Sequence, residues 1–228
     1  MPATSQIDKI SSRPSIPPGP GVPGDLNHLP IPTWKRLFDI VVASLMIFML
    51  SPVMIAIAIF IRVVSKGPIT FCQPRLGEMG RYFTIYKFRT MHTRPEATEQ
   101  HREYISQLQN SDQAASKPEF GDRLIRGGGF LRGHALDELP QLFNVLSGSM
   151  SLVGPRPEVL DWDEYKPWQR RRLEAKPGMT GLWQVSGKNR LSFNEMIQLD
   201  LKYIKQRSLK LDCEILIRTV GVVLKKGE

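Results

Sequence analysis

Cysteine is scarce in this chain of 228 residues: only Cys72 and Cys213 occur. They lie far apart and outside CxxC spacing, which excludes a disulfide framework and fits a reducing compartment. Both read as small buried hydrophobes. The histidines, His28, His92, His101 and His134, have no zinc-ligand spacing and no Ser-His-Asp order. A P-loop, a Rossmann glycine turn and any internal repeat are missing too. The first thirty or so residues lack the apolar stretch of a signal peptide. They carry six prolines among glycines, from Pro14 to Pro30. The composition predicts a disordered tail over 1–32 with no chemistry of its own.

Acidic residues are outnumbered. Lys and Arg total 31 against 22 Asp and Glu, a formal charge of +9. That excess points to an anionic partner: nucleic acid, anionic lipid or a phosphorylated substrate. Charge is missing altogether from Ile40 to Ile61. Such a run is long enough for a helix across a bilayer core of about 30 Å. Ser51-Pro52 sits in its middle, where proline breaks the backbone ladder and a serine hydroxyl can satisfy the freed carbonyl. Both flanks are basic, Lys35 and Arg36 before, Arg62 and Lys66 after. Basic flanks mark the cytoplasmic side. They favour a re-entrant helix over 33–66, and a kinked spanning helix stays open. An apolar helix of this kind has no place in a nucleic-acid-binding protein, whose cations would cluster on a known motif.

Residues 68–73 and 82–88 are β-branched and aromatic around a turn-rich 74–80, which predicts a β-hairpin with Arg75 in its turn region. Lys87 and Arg89 share one face of the second strand. They read either as phosphate ligands or as protective edge charges. Helices are expected at His101–Gln109, 192–206 and 209–225. Residues 161–175 read as a basic helix with Trp162, Tyr165 and Trp168 as aromatic anchors, suited either to a membrane surface or to ordinary solvated packing.

The most informative stretch is Ala135-Leu136-Asp137-Glu138-Leu139-Pro140-Gln141. Leu139, Leu142, Phe143 and Leu146 recur at helical spacing, and Gly148 supplies a stop. The spacing predicts a helix beginning at Asp137, with Asp137 as N-cap and Glu138 and Pro140 in the first turn. Capping alone would explain both carboxylates. Equally, a helix N-terminus suits anions and phosphates. Downstream, Pro155-Arg156-Pro157 is a rigid turn that pre-organises a guanidinium for phosphate or base. Lys176 to Gly187 reads as a glycine-rich loop over a ligand.

Taken in order, KRLFDI, the charge-free helix with Ser-Pro, PRLG, YKFRTM, LDELPQLFNVL, MSLVGPRP, KPGMTGLWQVSG and LDLKYI resemble the bacterial sugar transferases. These are monotopic polyprenyl-phosphate phosphoglycosyl transferases of capsule and exopolysaccharide synthesis. The resemblance covers about 33–226. It implies an α+β, mainly helical fold with three parts: a re-entrant membrane helix broken at Ser51-Pro52, a small β-hairpin and amphipathic interfacial helices. It implies one catalytic unit, with 67–228 cytoplasmic and joined to the membrane helix. By resemblance, Asp137 is the nucleophile that takes hexose-1-phosphate from a UDP-sugar, releasing UMP. Undecaprenyl phosphate then collects it as undecaprenyl-diphospho-sugar. Glu138, with Asp137, would hold Mg²⁺ or position the acceptor. Arg75, Lys87, Arg89, Arg132 and Arg156 match basic motif positions for substrate phosphates, and Pro155, Arg156 and Pro157 match the nucleotide-recognition turn. The implied setting is the cytoplasmic face of a bacterial inner membrane, without nucleic acid; a homo-oligomer is left open. Gly129, Gly133, His134, Ala135 and Ser149 depart from the usual pattern close to the dyad. A catalytically impaired, membrane-anchored scaffold of the same fold is the competing reading.

Overall fold

The charge-free run forms one helix, α1 (Thr33–Val64), in a computed structural model that describes residues 26–92, 107, 123–187 and 190–224. At about 1.5 Å per residue, a helix of 32 residues is roughly 48 Å long. It is long and apolar enough to cross a membrane. Leu37, Val41, Leu45 and Phe48 recur every three or four residues and all face outward, as do Met49, Val53, Ile59 and Val63. Helical backbone continues through Ser51 and Pro52, so the pair interrupts the hydrogen-bond ladder without ending the helix. Proline at 52 brings no N–H to the Phe48 carbonyl. Ser51 Oγ donates to that carbonyl instead, at 2.9 Å, so no acceptor is orphaned in an apolar segment.

Both halves of α1 pack on the same protein body. Before the pair, fully buried Ala43 joins Leu142, Val145 and Ile215. After it, Met54, Ile57 and Ile61 join Phe88, Ile125 and Leu131. The N-terminal end is pinned by Lys35 Nζ, 2.6 Å from Asp212 Oδ2, and by Arg36, which donates to the Val145 and Leu146 carbonyls at 2.6 and 2.8 Å. At the other end Arg89 donates to the carbonyls of Lys66 and Ser65 at 2.7 and 3.0 Å.

The remaining elements follow in chain order. Strands β1 (Thr70–Leu76) and β2 (Tyr82–Phe88) pair antiparallel from Thr70↔Phe88 to Leu76↔Tyr82. Helices α2 (Gly128–Gly133) and α3 (Gln141–Ser147) lead to β3 (Ser151–Val153), which pairs in parallel with β4 (Gly178–Thr180). Between those strands lies α4 (Pro167–Arg170); after them come α5 (Leu182–Val185), α6 (Phe193–Gln206) and α7 (Leu209–Leu224). The capping box expected of a real helix start is present at α6, where Ser192 and Glu195 exchange bonds.

Three expectations change. The hairpin exists, but β1 runs on through Pro74 and Arg75, so Arg75 is a strand residue and not a turn residue. A two-stranded ribbon has only edges, where proline is tolerated. Residues 161–175 do not make one interfacial helix. They make two 3₁₀ turns, Trp162–Glu164 and Arg171–Glu174, around α4. Trp162, Tyr165 and Leu173 enter the core with Leu76, Phe193 and Ile197, and Arg172 is buried. Trp162 and Tyr165 face inward while Trp168 is exposed, so the three aromatics do not share one outward face. The expected Pro/Gly tail meets the described residues only at 26–32. There Leu26 is buried in the same cluster and Leu29 N donates to the Glu174 carbonyl at 3.2 Å. The helix expected at His101–Gln109 falls almost wholly outside the described residues.

Candidate active site

The carboxylate pair sits on a turn, not on a helix cap. Ala135 takes a left-handed conformation at φ 52°, a costly state for a residue with a Cβ. It reverses the chain into the 3₁₀ turn Leu136–Glu138. The α-helix starts only at Gln141, after Pro140, and neither element has a side-chain cap. The expected N-cap role of Asp137 is therefore wrong: the reversal at Ala135 and the proline at 140 separate it from the helix start. Leu136 and Leu139 pack against the cluster built on the second half of α1, which anchors the pair to that helix.

The two carboxylates have opposite environments. Glu138 Oε1 receives Lys87 Nζ at 2.8 Å and Arg156 Nη2, and Oε2 receives Arg156 Nη1 at 3.2 Å. Burial alone would raise the Glu138 carboxyl. Arg156 first and Lys87 second outweigh that and hold it well below the usual carboxylate range. Asp137 is 9 % exposed and, among the described residues, makes no ion pair or side-chain hydrogen bond. Burial and then the neighbouring Glu138 charge push its carboxyl up to about 6, against Lys87, Arg132 and Arg156. One acid is thus locked as an anion; the other is a poorly solvated carboxylate with its lone pairs unspent. Splitting two adjacent acids in this way is how one site assigns them different roles.

Structural long-range contacts hold this arrangement. Lys87 leaves β2 on the face opposite Phe88, which is buried against α1. Asn144 of α3 accepts from Tyr86 N at 3.1 Å and donates to the Thr84 carbonyl at 2.7 Å, sewing the helix after the dyad to β2. Arg172 donates to the Arg156 carbonyl at 2.7 Å and lies 2.6 Å from Asp200 Oδ2 on α6, so a buried ion pair braces the Pro155–Pro157 turn. Sequence reasoning missed Asn144, Arg172 and Asp200. The one available signal was a polar residue inside an otherwise apolar helical stripe.

Of the basic residues expected here, Lys87 and Arg156 meet the dyad, and Arg132 acts on Asp137 through its charge while its Nη1 lies 3.0 Å from Met91 Sδ. Arg156 spends its guanidinium on Glu138. Arg75 lies beside Arg156 and Glu158. Arg89 is not brought in: it caps the end of α1, because the chain leaves β2 after Phe88 and the strand alternation stops. A side chain at Gly67, φ 114°, would run into the Arg89 guanidinium. We therefore expect Arg89→Ala to cost about 2–3 kcal/mol of stability, the scale of lost charged hydrogen bonds, with turnover of the folded protein little changed. Thermal melts beside kcat check this; a kcat loss of tenfold or more at wild-type Tm would return Arg89 to the site.

The departures near the dyad are accommodated. His134 Nδ1–H bonds the Phe130 carbonyl at 2.9 Å within its own turn. A Cβ at Gly133 meets nothing within 4 Å, and one at Gly129 makes only ordinary contact. Ser149 Oγ donates to the Asn144 carbonyl at 3.1 Å.

Among the described residues no cluster of three or more His, Cys, Asp or Glu side chains converges. Asp137 and Glu138 are the carboxylates of this turn that could hold a cation of the Mg²⁺ kind, for which one or two carboxylates suffice when substrate phosphates and water supply the other ligands. Both Asp137 oxygens are open. Glu138 Oε1 has both lone pairs taken, and Oε2 has one left.

Comparison with known proteins agrees in extent with this architecture. Residues 31–226 match the family model described as bacterial sugar transferase. The chain is 38% identical over 210 residues to a UDP-glucose:undecaprenyl-phosphate glucose-1-phosphate transferase of Caulobacter vibrioides, covering 88% of this chain and 73% of that protein. It is 40% identical over 201 residues to an undecaprenyl-phosphate galactose phosphotransferase of Salmonella typhimurium, covering 84% and 40%. An uncharacterized sugar transferase of Haemophilus influenzae is 41% identical over 200 residues, covering 84% and 41%. The chain thus spans about two fifths of the length of two of these three relatives.

Proposed function

Because the chain belongs to the bacterial sugar transferase family, we propose that it moves hexose-1-phosphate from a UDP-sugar to undecaprenyl phosphate, as the first membrane step of a polysaccharide. An Asp137 oxygen attacks the phosphorus that carries the sugar. The bond from that phosphorus to the bridging oxygen breaks, and UMP leaves with the electron pair. The sugar phosphate remains as an ester on Asp137. A phosphate oxygen of the lipid carrier then attacks the same phosphorus and restores the carboxylate. A carboxylate nucleophile divides one transfer into two at a single site. The observation that carries this reading is the asymmetry of the dyad: Glu138 is tied by Lys87 and Arg156, and Asp137 is left unpaired.

Phosphoryl transfer needs positioning and neutralisation of oxygen charge. Lys87, Arg132 and Arg156 supply fixed positive charge around Asp137. Mg²⁺, held by Asp137 and the remaining Glu138 lone pair, would neutralise phosphate oxygens further. Release of UMP by purified protein with a lipid acceptor, across a panel of UDP-sugars, tests the activity and identifies the sugar. A folded protein that releases UMP from none of them contradicts the proposal.

The same reading places α1 as a re-entrant helix in the inner membrane, with the catalytic part on the cytoplasmic face. Support comes from its two ends: Lys35 and Arg36 at one, Ile61 and the Arg89-capped carbonyls at the other, all held by one body. One end cannot cross the bilayer without abandoning those contacts. Single cysteines at His28 and Lys66, with Cys72 and Cys213 replaced, are expected to resist periplasmic labelling equally. Labelling at position 28 alone would indicate a spanning helix.

A further inference from the structure

A row of rings leads from α1 to the dyad, and the transfer chemistry above uses none of it. The row begins on the outward apolar face of α1, at Ile59, Phe60 and Val63. The Phe60 ring lies over Gly127, where a Cβ would come within 2.7 Å of its Cζ. Gly127 also opens α2 in the left-handed region, φ 75°, which glycine adopts freely. Phe130 and His134 follow three and seven residues later, on one side of the helix, with ring centroids 4.3 Å apart. His134 closes α2, and the reversal at Ala135 then brings in Asp137. At about 1.5 Å per residue, the row from Gly127 to His134 is roughly 10 Å long.

The rings are not core residues. Phe130 is 62 % exposed, while Leu131 beside it is buried with Ile57, Ile61 and Ile125. A Cβ at Gly133, one turn from Phe130, meets nothing within 4 Å, so among the described residues that flank is uncovered. A lone exposed ring needs no explanation, but a contiguous apolar row does. Its two ends select the occupant. One end is continuous with the face of α1 that lies in the bilayer on the reading above. The other stops at the carboxylate that has to meet a phosphate, where Arg132 adds positive charge. His134 spends its Nδ1 on the Phe130 carbonyl within its own turn. A ligand that is apolar along its length and anionic at the tip near Asp137 fits this row. A peptide, with a polar backbone group at every residue, does not.

We propose that Phe60, Phe130 and His134 form a track for the hydrocarbon tail of the polyprenyl phosphate acceptor. The track seats the isoprene units next to the phosphate and aims that phosphate at Asp137. It rests on the transfer reaction proposed above and adds to it a place for the tail of the second substrate. His134, one of the departures near the dyad, gains a role in it by extending the row with a ring. Flat apolar ring faces suit an unsaturated chain, and covering the exposed Phe130 ring supplies affinity.

The test is calorimetric titration of the full-length, detergent-solubilised protein with geranyl phosphate, a short and soluble member of the acceptor class, and with UMP. Phe130→Ala should weaken geranyl phosphate about tenfold and leave UMP affinity and Tm unchanged. Phe130→Leu, which stays apolar, should recover most of the loss. Phe48→Ala, which removes an equally exposed ring from the other half of α1, should bind geranyl phosphate as the wild type does. Unchanged geranyl phosphate affinity in Phe130→Ala overturns the proposal, as does an equal loss in Phe48→Ala, which would mean seating in the detergent alone. A change of particle mass by light scattering in Phe130→Ala, with affinity unchanged, would give the row to a second copy of the chain and overturn it too. Wild-type protein that binds UMP but not geranyl phosphate overturns the track and leaves the transferase reading standing. Wild-type protein that binds geranyl phosphate through Phe130, yet neither binds UMP nor releases it from any UDP-sugar, upholds the track and counts against the transferase reading.

Discussion

Asp137→Asn is expected to reduce turnover by about a thousandfold or more, the scale for loss of a covalent nucleophile, without harming the fold. The amide keeps the shape of the side chain and removes only its ability to attack phosphorus as an anion. Its effect on stability has a definite sign. Asp137 is raised to about 6 from 3.8, by burial and then by Glu138. A raised carboxyl penalises the folded state once it ionises. The penalty is absent below the unfolded value near 4, grows as pH rises to about 6, and is complete above it. The Asn variant should therefore melt no lower than wild type at pH 7.5, and any advantage should vanish near pH 4. The metal-free wild-type protein should lose its nucleophile as pH falls through about 6. A Tm well below wild type at neutral pH would mean that the carboxylate is structural.

Glu138→Gln is the second large effect and the opposite case. Removing this charge strands Lys87 and Arg156 against a neutral amide. Breaking one partner of a buried pair costs on the order of 3–5 kcal/mol; Glu138 is 19% exposed at its side chain, so the lower end is expected. The loss should diminish as pH falls far enough to protonate Glu138 in the wild type, well below the usual carboxylate range. Activity should fall by a hundredfold or more, because Lys87 and Arg156 lose the anion that fixes their positions around Asp137. Wild-type melting and turnover in this variant would show that the three-membered ion cluster does not organise the site.

The two variants separate roles that the sequence presents side by side. Adjacent Asp and Glu before an apolar stripe announce a site, and the order of motifs places it in a family. Which acid is tied and which is open depends on Lys87, 51 residues earlier, and on Arg156, 18 residues later. No local pattern encodes contacts at such separations. Local signals were readable where one interaction dominates: the uncharged run gave α1, β-branched and aromatic residues gave the hairpin, and amphipathic patterning gave α6 and α7. They misled where two arrangements share one pattern. A basic stretch with aromatics at 161–175 reads the same whether its rings meet lipid or the core, and the core took Trp162 and Tyr165 and left Trp168 exposed. An acid just before a helical stripe reads as a cap, until a left-handed alanine and a proline move the helix start to Gln141. Arg89 continued the face of Lys87 on paper, but the strand ended one residue too soon for it.

Intact-protein mass spectrometry after incubation with the UDP-sugar alone, without lipid acceptor, addresses the central claim most directly. The wild-type protein should gain the mass of one hexosyl phosphate. Peptide mapping should locate it on Asp137, and added undecaprenyl phosphate should discharge it. Turnover without any adduct, or an adduct on another residue that survives Asp137→Asn, would contradict a covalent role for this carboxylate.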